Sequence, residues 1–521
     1  MPRLFHHTLE KTTQTDLDQP ALIHKDQQKS YQQLIDESKQ IAKHLVTLGL
    51  SKSGRIAIYL PKQFEAVTSF FAASIAGGAF VPVNPLLKAQ QVGYILNDCE
   101  VEILITSLSR YKQLKDTLDG ISSIKSIIVT DCPLDATPEN TINWNSLTSL
   151  EDQAYHPVIS KDIAAILYTS GSTGNPKGVV LSHANLVAGA KSVSEYLENT
   201  HEDRLLAALP FSFDYGLSQL TTAFLCGGSV VLMEYLLPRD VINAVSKHKV
   251  TGLAAVPPLW VQLAELDWPE EAQNCLRYIT NSGGAMPQAT LNSLRSKLPK
   301  TSPFLMYGLT EAFRSTYLHP EEVDKRPTSM GKAIPDAEIL VINEHGQECE
   351  PGEEGELVHR GPHVALGYWN APEKTAERFK PLPSKLSNGL NEELAVWSGD
   401  TVKKDEDGFL YFVGRKDDMI KSSGYRISPS EIEDVVYQFE SVLEVSAIGV
   451  PHPSLGQAVV LIVKVDPELY DEKSLLKFCQ KNLPNFMQPK AIRVLDELPR
   501  NPNGKINRKA LLEEFGSICS E

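Results

Sequence analysis

The sequence predicts an α/β fold, in which a large N-terminal domain of layered α/β subdomains and a β-rich subdomain precedes a small α+β C-terminal domain. The length of 521 residues exceeds what one compact core usually holds, so two or more domains are expected. The composition, with 42% hydrophobic and 22% charged residues, is that of a folded globular chain. Short β-branched runs alternate with longer helix-compatible segments, which is typical of α/β layers around buried sheets.

The predicted elements follow in chain order. Apolar residues between Ser30 and Leu50 recur with helical spacing, which predicts an amphipathic helix. Short strands are predicted at Arg55–Leu60, Val101–Thr106, Ser126–Thr130, Ala164–Tyr168 and Ser229–Met233. After about Pro335, closely set runs between turn residues predict the β-rich subdomain, with strands at Glu338–Ile342, Gly355–His359 and Gly408–Phe412. Helices at Glu431–Phe439 and Ser474–Leu483 belong to the C-terminal part, and the predicted domains are 1–413 and 414–521.

Bulk properties exclude several classes of function. The formal net charge of −15 disfavours binding to the phosphate backbone of nucleic acids. The seven cysteines are scattered without CxxC spacing, which favours reduced thiols over a disulfide framework or a zinc site. The N-terminus lacks the features of a signal peptide, and no run approaches the ~18 apolar residues of a membrane span. A cytoplasmic chain without membrane association is therefore expected.

The segment Tyr168-Thr-Ser-Gly-Ser-Thr-Gly-Asn-Pro-Lys-Gly178 follows a predicted strand directly. Its backbone N–H groups, its hydroxyls and Lys177 can surround phosphate oxygens, so it is a candidate phosphate-binding loop. It is not a P-loop of the Walker A type, because Gly178 follows the lysine where that motif requires Ser or Thr. By composition alone, a solvent-exposed Ser/Gly turn is the alternative.

With this loop and four further motifs in order, the chain resembles the acyl-activating or adenylate-forming superfamily of acyl-CoA synthetases, luciferases and peptide-synthetase adenylation domains. Within it, the chain looks most similar to free-standing prolyl-type carrier-protein ligases and to acyl-CoA ligases. The further motifs are Tyr307-Gly-Leu-Thr-Glu311, Trp397-Ser-Gly-Asp400-Thr401, Gly414 to Arg426, and Asn501 to Ala510. The resemblance implies an ATP-dependent, AMP-forming ligase that activates a carboxylic acid as its acyl-AMP and passes the acyl group to a thiol.

The resemblance also implies roles for individual residues. Tyr307 would stack on adenine, Asp400 would accept hydrogen bonds from the ribose hydroxyls, and Thr310 and Glu311 would serve the phosphates and Mg²⁺, with Glu311 as the metal ligand. Lys505 would neutralise the charge that builds as the carboxylate attacks the α-phosphate. The full set of expected nucleotide contacts is Thr169, Ser170, Gly171, Ser172, Thr173, Gly174, Lys177, Gly283, Tyr307, Asp400, Arg415 and Arg426.

For the second half-reaction, the resemblance implies that the C-terminal domain is mobile and turns about a hinge at Asp417. Gly424 would then line the tunnel by which a phosphopantetheine thiol enters. A charged surface hairpin is the alternative reading of this motif. The acceptor is expected to be separate from this chain, either a carrier protein or free CoA.

The acid is predicted from the pair Phe213-Asp214, which resembles the segment that amino-acid adenylation domains use to hold the substrate ammonium. An Asp214 that caps a local helix is the alternative. The residues expected to line the acid pocket are mostly apolar or small: Tyr215, Ser218, Gly283, Gly284, Met306 and Phe313. They favour a small apolar amino acid such as proline, loaded onto a carrier protein, while an acyl-CoA ligase for a fatty or aromatic acid is the alternative. Arg314 leaves open a substrate with a second anionic group.

Overall fold

The computed structural model describes residues 2–10, 16–148, 150, 153–169, 176–383, 386, 393–415, 418–422, 425–452, 455–485, 487–502 and 504–519, with Lys421, Tyr425 and Arg426 described by their backbone alone.

The strands of the described residues are β1 (Pro20–His24), β2 (Gln27–Ser30), β3 (Arg55–Tyr59), β4 (Ala79–Pro82), β5 (Val101–Thr106), β6 (Ser126–Val129), β7 (Ile142–Asn143), β8 (Ile163–Thr169), β9 (Lys177–Ser182), β10 (Arg204–Ala207), β11 (Ser229–Leu232), β12 (Gly252–Ala255), β13 (Tyr278–Asn281), β14 (Ser302–Tyr307), β15 (Thr316–Leu318), β16 (Lys332–Ala333), β17 (Glu338–Ile342), β18 (Glu354–Arg360), β19 (Gly367–Tyr368), β20 (Phe379–Pro381), β21 (Leu394–Lys404), β22 (Leu410–Arg415), β23 (Ile420–Ser422), β24 (Tyr425–Ile427), β25 (Val442–His452), β26 (Gly456–Val465) and β27 (Ala491–Val494).

The helices are α1 (His7–Glu10), α2 (Tyr31–Thr47), α3 (Phe64–Ala76), α4 (Ala89–Asp98), α5 (Leu108–Leu118), α6 (His183–Tyr196), α7 (Asp214–Cys226), α8 (Pro238–His248), α9 (Pro257–Glu265), α10 (Glu270–Cys275), α11 (Gln288–Lys297), α12 (Pro372–Arg378), α13 (Pro429–Val436), α14 (Glu472–Asn482) and α15 (Arg508–Phe515). Short 3₁₀ turns lie at Leu134–Ala136, Trp144–Ser146, Thr310–Ala312 and Pro320–Glu322.

Two large sheets form the N-terminal domain. One has the strand order β16-β15-β14-β13-β12-β10-β11-β1-β2, and the other has the order β19-β9-β8-β4-β3-β5-β6-β7. Parallel pairing dominates both sheets, as the alternation of strands and helices along the chain predicts. A smaller antiparallel sheet, β17-β18-β21-β20 with β22 beside β21, follows them in the chain.

The two large sheets lie on either side of a layer formed by α2, α3, α6 and α7, and a single apolar cluster joins these helices to both sheets. On the outer faces, α4 and α5 cover one sheet while α8 to α11 cover the other. Strand β3 is apolar after Arg55 because both of its faces are buried: Ile56 and Ile58 face the central cluster, while Ala57 and Tyr59 face the outer one. The prediction of an α/β fold is confirmed.

Most predicted elements fall where the pattern placed them. Helix α2 begins after Ser30 because the Ser30 hydroxyl accepts from the Gln33 backbone N–H and the Gln33 side chain returns a bond to the Ser30 N–H. Strands β5 and β17 have the predicted bounds. Strands β3, β6 and β11 are one residue shorter at one end, and β8 and β18 are one residue longer at both ends. Strand β22 starts two residues later than predicted, at Leu410, because Gly408 lies in a turn with φ of 82°.

The C-terminal region has a sheet of its own, with the order β24-β23-β26-β25 and β27 beside β26. Apolar residues of α13 and α14 pack on one face of this sheet, and α15 packs on the other. This small α+β domain was expected, although the division between 413 and 414 stays a prediction. All seven cysteines are free thiols. Among the described residues, no helix combines the length and apolarity that crossing a membrane requires.

Candidate active site

Lys505 reaches a cluster of residues from the N-terminal domain. Its Cε lies 3.5 Å from the position that a Cβ on Gly283 would occupy. Burial lowers the pKa of Lys505 and Arg415 adds to that effect, while the carboxylates of Asp214, Asp400 and Glu311 oppose it. A second contact between the domains is made by Asn84, whose Nδ2 donates to the carbonyl of Pro502 at 3.4 Å. The structure therefore places the predicted catalytic lysine among the predicted binding residues.

The candidate phosphate-binding loop is the connection between β8 and β9, which pair antiparallel so that Thr169 lies opposite Lys177. Its Ser170, Gly171, Ser172, Thr173 and Gly174 lie outside the described residues. The ammonium of Lys177 lies over the Tyr368 ring at 5.3 Å from the centroid. Desolvation lowers the pKa of Lys177, Lys374 and Arg378 act in the same direction, and Glu311 opposes them. Lys177 and Glu311 thus share one charged neighbourhood at the mouth of this hairpin.

Glu311 lies in the 3₁₀ turn that follows β14, and its Oε1 accepts a hydrogen bond from the Tyr368 hydroxyl. Mg²⁺ bound to a nucleotide usually takes one or two carboxylates and completes its shell with phosphate oxygens and water. Within the described part of the chain, no group of three or more His, Cys, Asp or Glu side chains forms a metal cage. The single carboxylate of Glu311 would suit a Mg²⁺ ion whose remaining ligands are phosphate oxygens of ATP and water.

Tyr307 and Arg415 both hold the carboxylate of Asp400. The Tyr307 hydroxyl donates to Oδ2 at 2.5 Å, and Nε of Arg415 lies 3.3 Å from Oδ1. The register of the sheet brings Asp400 on β21 directly opposite Arg415 on β22. Burial raises the pKa of Asp400, while Arg415 and Tyr307 lower it. The three side chains predicted to bind the nucleoside are thus brought together.

The carboxylate of Asp214, which was predicted to hold a substrate ammonium, already has two partners within the protein. It is buried, its Oδ2 forms an ion pair with Nη1 of Arg314 at 3.1 Å, and its Oδ1 accepts from the Thr310 hydroxyl at 3.0 Å. Desolvation raises the pKa of Asp214, and Arg314 is the largest opposing influence. The cation that meets this carboxylate here belongs to the protein, and a contact with a substrate ammonium stays a prediction. Asp214 is also the first residue of α7, but its side chain does not cap that helix.

A small cavity of about 10 Å³, roughly the space of one water, lies beside this ion pair. Tyr215, Ser218 and Met306, three of the residues predicted to line the acid pocket, lie in its wall. Its other walls differ from the apolar expectation, because polar groups join them; the full lining is Val193, Leu197, Leu205, Tyr215, Ser218, Gln219, Thr222, Tyr278, Thr280, Met306 and Arg314. Arg314 is the one charged residue among these described lining residues.

Phe313, Gly283 and Gly284, which were also predicted to line the acid pocket, are not among the residues around this cavity. The Phe313 ring packs against α6, where a Cβ on Gly189 would come within 2.4 Å of it, and Phe313 itself has a φ of 59°. Gly284 packs against Pro257. Gly283, with a φ of 82°, faces Lys505 and the Phe213 ring. The positive φ at position 313 explains the difference, because it turns the phenyl ring into the core and leaves Arg314 at the pocket.

Arg378 is a site residue that the motif analysis missed. It lies at the end of α12 with Nη1 donating to the Trp397 carbonyl at 2.9 Å. Desolvation acts to lower its pKa, but Glu311, Tyr368 and Asp400 together raise it. Nothing in its local sequence, Lys374-Thr-Ala-Glu-Arg378, distinguishes it from a surface helix, so only its position in the fold reveals it.

The predicted hinge Asp417 and tunnel residue Gly424 lie outside the described residues, as does the side chain of Arg426. The backbone of Arg426 pairs with Lys421 in the short β23–β24 ladder. Their assigned roles therefore stay predictions.

Two family models match the chain: the AMP-binding enzyme model over residues 9–369 and the AMP-binding enzyme C-terminal domain model over residues 431–505. A long-chain-fatty-acid–CoA ligase of Salmonella typhimurium is 30% identical over 95% of this chain and 92% of its own length. A linear gramicidin synthase of Brevibacillus parabrevis is 30% identical over 97% of this chain, which corresponds to 6% of that protein. The crystal structure of ATP-bound MatB from Rhodopseudomonas palustris superposes with a TM-score of 0.88, with 26% identity over 99% of this chain and 100% of MatB.

These matches and the assembled site identify an adenylate-forming enzyme. The chain belongs to the family of AMP-binding enzymes, and it is an AMP-forming acid–thiol ligase. ATP is its nucleotide substrate, in keeping with the ATP-bound structure that it resembles.

Proposed function

We propose that this ligase activates a small carboxylic acid that lacks an α-ammonium group and transfers the acyl group to the thiol of CoA. The observation that carries the proposal is the ion pair between Asp214 and Arg314. A buried carboxylate that already has a guanidinium and a hydroxyl as partners gains little from a substrate ammonium.

In the first half-reaction, the substrate carboxylate attacks the α-phosphorus of ATP and pyrophosphate departs from the opposite side. Lys505 approaches from the C-terminal domain and offsets the negative charge that develops on the phosphorus oxygens. Lys177 and the loop around it hold the departing phosphates, and Asp400 holds the ribose. Mg²⁺, held through Glu311 and the phosphates, would supply further charge neutralisation when bound.

In the second half-reaction, the thiol attacks the carbonyl carbon of the acyl-AMP and AMP leaves. Lys505, which lies beside Gly283, would serve the first step from this position. The resemblance implies that the C-terminal domain then turns about Asp417 and presents Gly424 to the thiol. This rotation is part of the proposal.

CoA is favoured as the acceptor because the relative that this chain matches over nearly its whole length is a CoA ligase. The fatty-acid ligase, which is named for CoA, is aligned over 92% of its own length. The match to the gramicidin synthase covers 6% of that protein. We also propose a cytoplasmic location, where CoA and reduced thiols occur together.

A second candidate is the amino-acid ligase, with proline as the substrate and a separate carrier protein as the acceptor. It is favoured by the pair Phe213-Asp214 and by the identity to the gramicidin synthase. It requires the Arg314–Asp214 pair to open on substrate binding, so that Asp214 can meet an ammonium. If so, Asp214→Ala weakens an amino-acid substrate more than its des-amino analogue.

The two candidates are separated by acid-dependent exchange of pyrophosphate into ATP, measured with amino acids, short monocarboxylic and dicarboxylic acids, and fatty and aromatic acids. Activated acids are then tested for thioester formation with CoA and with phosphopantetheinylated carrier proteins. Exchange with a non-amino acid, followed by acyl-CoA release, supports the proposal. Exchange restricted to an amino acid, with transfer to a carrier protein alone, refutes it in favour of the second candidate.

A further inference from the structure

Tyr368 contacts two of the side chains that the first half-reaction is proposed to use. We propose that Tyr368 is a positioning residue for Mg²⁺·ATP, which holds the Glu311 carboxylate and the Lys177 ammonium in a fixed relation to each other. The carboxylate then meets the metal ion while the ammonium meets the phosphates. This inference rests on the proposed roles of Glu311 and Lys177, and it adds a residue that lies outside the five binding motifs.

Tyr368 lies on a short segment that links the two large sheets of the N-terminal domain. It belongs to β19, which pairs with β9 so that Tyr368 is opposite Val179. The residue two positions away on the partner strand is a diagonal neighbour on the same face, and here that residue is Lys177. Three residues before Tyr368, the Ala365 N–H donates to the Glu311 carbonyl at 2.8 Å. The segment therefore joins the strand that begins with Lys177 to the turn that carries Glu311.

The ring and the hydroxyl of Tyr368 make different contacts. The Lys177 ammonium lies over the ring, 5.3 Å from its centroid, which is within the range of a cation–π interaction. The hydroxyl donates to Oε1 of Glu311, so that Oε2 is the oxygen left to face a metal ion. The two charged groups come from strands of different sheets, and the side chain of Tyr368 contacts both.

Packing within the protein fixes the orientation of Tyr368. The Phe379 ring packs edge-on against it, with centroids 5.6 Å apart and an angle of 79° between the planes. The Thr375 hydroxyl accepts from the Tyr368 N–H at 2.9 Å. Arg378 hydrogen-bonds to the phenol, and a guanidinium can only donate, so the phenol accepts from Arg378 and keeps its own proton for Glu311. The hydroxyl is thus directed at Glu311.

The hydroxyl is the part of Tyr368 that packing does not explain. The contacts with Phe379 and Lys177 use the ring alone, so phenylalanine would make them equally well. Mg²⁺ demands near-ideal octahedral geometry, which makes the orientation of a ligating carboxylate important. Groups that hydrogen-bond to a metal ligand typically change metal affinity or activity about 10- to 100-fold when they are removed. Tyr368 has this relation to Glu311.

The test is equilibrium binding of ATP to the full-length enzyme, measured by calorimetry without any acid, once with MgCl₂ and once with EDTA. We expect the wild type to bind ATP more tightly with MgCl₂, and Tyr368→Phe to reduce the ratio of the two Kd values about 10-fold or more. Pyrophosphate exchange should then require more Mg²⁺. Thioester formation from supplied acyl-AMP, which uses neither ATP nor pyrophosphate, should be retained.

The matched control is Tyr411→Phe, which should leave the ratio unchanged. It also removes a hydroxyl that donates to a carboxylate, that of Asp405 at 2.9 Å, but this pair lies outside the site. In a Glu311→Gln background, Tyr368→Phe should have little further effect on the ratio, because both substitutions remove one contact. Tyr368→Leu removes the ring as well, so ATP should bind about 2- to 5-fold more weakly in EDTA than to Tyr368→Phe.

Cooperative thermal unfolding is checked for every variant first. A wild-type ratio in Tyr368→Phe, together with a lowered ratio in Glu311→Gln, overturns the inference and leaves the proposed function in place. An undiminished effect of Tyr368→Phe in the Glu311→Gln background also overturns it, because Tyr368 would then not act through Glu311. Equal ATP binding in EDTA by Tyr368→Leu and Tyr368→Phe overturns the part that concerns Lys177. If Glu311→Gln itself keeps the wild-type ratio, the proposed metal role of Glu311 fails and this inference fails with it.

Discussion

The Tyr307 hydroxyl donates to Oδ2 of Asp400 at 2.5 Å, while Arg415 contacts the other oxygen of the same carboxylate. These contacts hold the carboxylate, which belongs to β21, between Tyr307 of β14 and Arg415 of β22, so that each oxygen has its own partner. A carboxylate held in this way needs no reorganisation when ribose hydroxyls arrive as further donors. If Asp400 binds the ribose, as the resemblance implies, its carboxylate is already oriented before ATP arrives.

This arrangement predicts the effect of Asp400→Asn. The amide keeps the size of the side chain but loses the charge and one acceptor, so kcat/KM for ATP should fall about 10- to 100-fold. For 2′,3′-dideoxy-ATP, which lacks the ribose donors, the fall should be much smaller. The measurement is steady-state pyrophosphate exchange with each nucleotide, and an equal loss for both would contradict the ribose contact.

Lys505→Ala should separate the two half-reactions. Adenylate formation should fall by about 100-fold or more, because the variant lacks the cation that offsets charge at the α-phosphate. Thioester formation from supplied acyl-AMP should be retained. The matched control is Lys509→Ala, since that lysine is exposed and lies four residues away in α15. Equal loss of both half-reactions in Lys505→Ala would refute the assigned role.

The rate of adenylate formation should also fall at alkaline pH, sooner than an ordinary lysine would dictate. Burial and Arg415 lower the pKa of Lys505, so its ammonium is lost as the pH rises through that lowered value. Lys505→Arg keeps its charge throughout this range and should remove the alkaline limb. The measurement is the rate of pyrophosphate exchange as a function of pH for the wild type and Lys505→Arg. If the variant loses activity at the same alkaline pH as the wild type, Lys505 is not the group that titrates.

Local signals in the sequence predicted much of the fold. The bounds of α2 follow from apolar spacing and a capping box within four residues, and β3 and β5 follow from runs that are apolar on both faces. The motif residues Tyr307, Asp400, Arg415 and Lys505 also meet in the structure as the resemblance implied.

What the sequence did not predict are side-chain contacts between segments that lie far apart in the chain. Asp214 and Arg314 are 100 positions apart, so an ion pair between them cannot be read from either segment. The Phe313 ring packs into the core because the backbone at this residue has a positive φ, which the residue type does not predict. Arg378 joins the site only through packing of α12 near β21. In each case the decisive partner comes from tertiary structure.

The buried pair Asp214–Arg314 predicts opposite behaviour for single and double substitutions. Asp214→Ala leaves a buried guanidinium without its counter-ion and should destabilise the protein by about 3–5 kcal/mol. Asp214→Asn/Arg314→Met removes both charges and should cost clearly less than Asp214→Asn and Arg314→Met added together. Urea denaturation at neutral pH measures the double variant and both of these single variants, and a double variant as unstable as their sum would show that the two residues do not interact.

Three buried histidines predict how stability depends on pH. Burial lowers the pKa of His183 to about 4, of His359 to about 3 and of His363 to about 4. Each imidazole has one ring nitrogen without a partner in the described structure, and protonation would add a charge in these buried surroundings. The other nitrogens are paired: Nδ1 of His183 accepts from the Phe5 N–H, and Ser315 and Ser192 pair with His359 and His363.

The unfolded chain takes up these protons near pH 6.5, whereas the folded chain resists them until about pH 4 or below. Stability should therefore fall as the pH drops below about 6.5, by about 1.4 kcal/mol per pH unit for each imidazole. The measurement is the urea midpoint between pH 7 and pH 5, a range above the titration of ordinary carboxyls. His363→Asn removes one of the three imidazoles and should make the dependence of stability on pH less steep by that one group. His345→Asn, at an exposed position, is the control and should leave the dependence unchanged. A slope that is the same in His363→Asn as in the wild type would show that this histidine titrates normally in the folded protein.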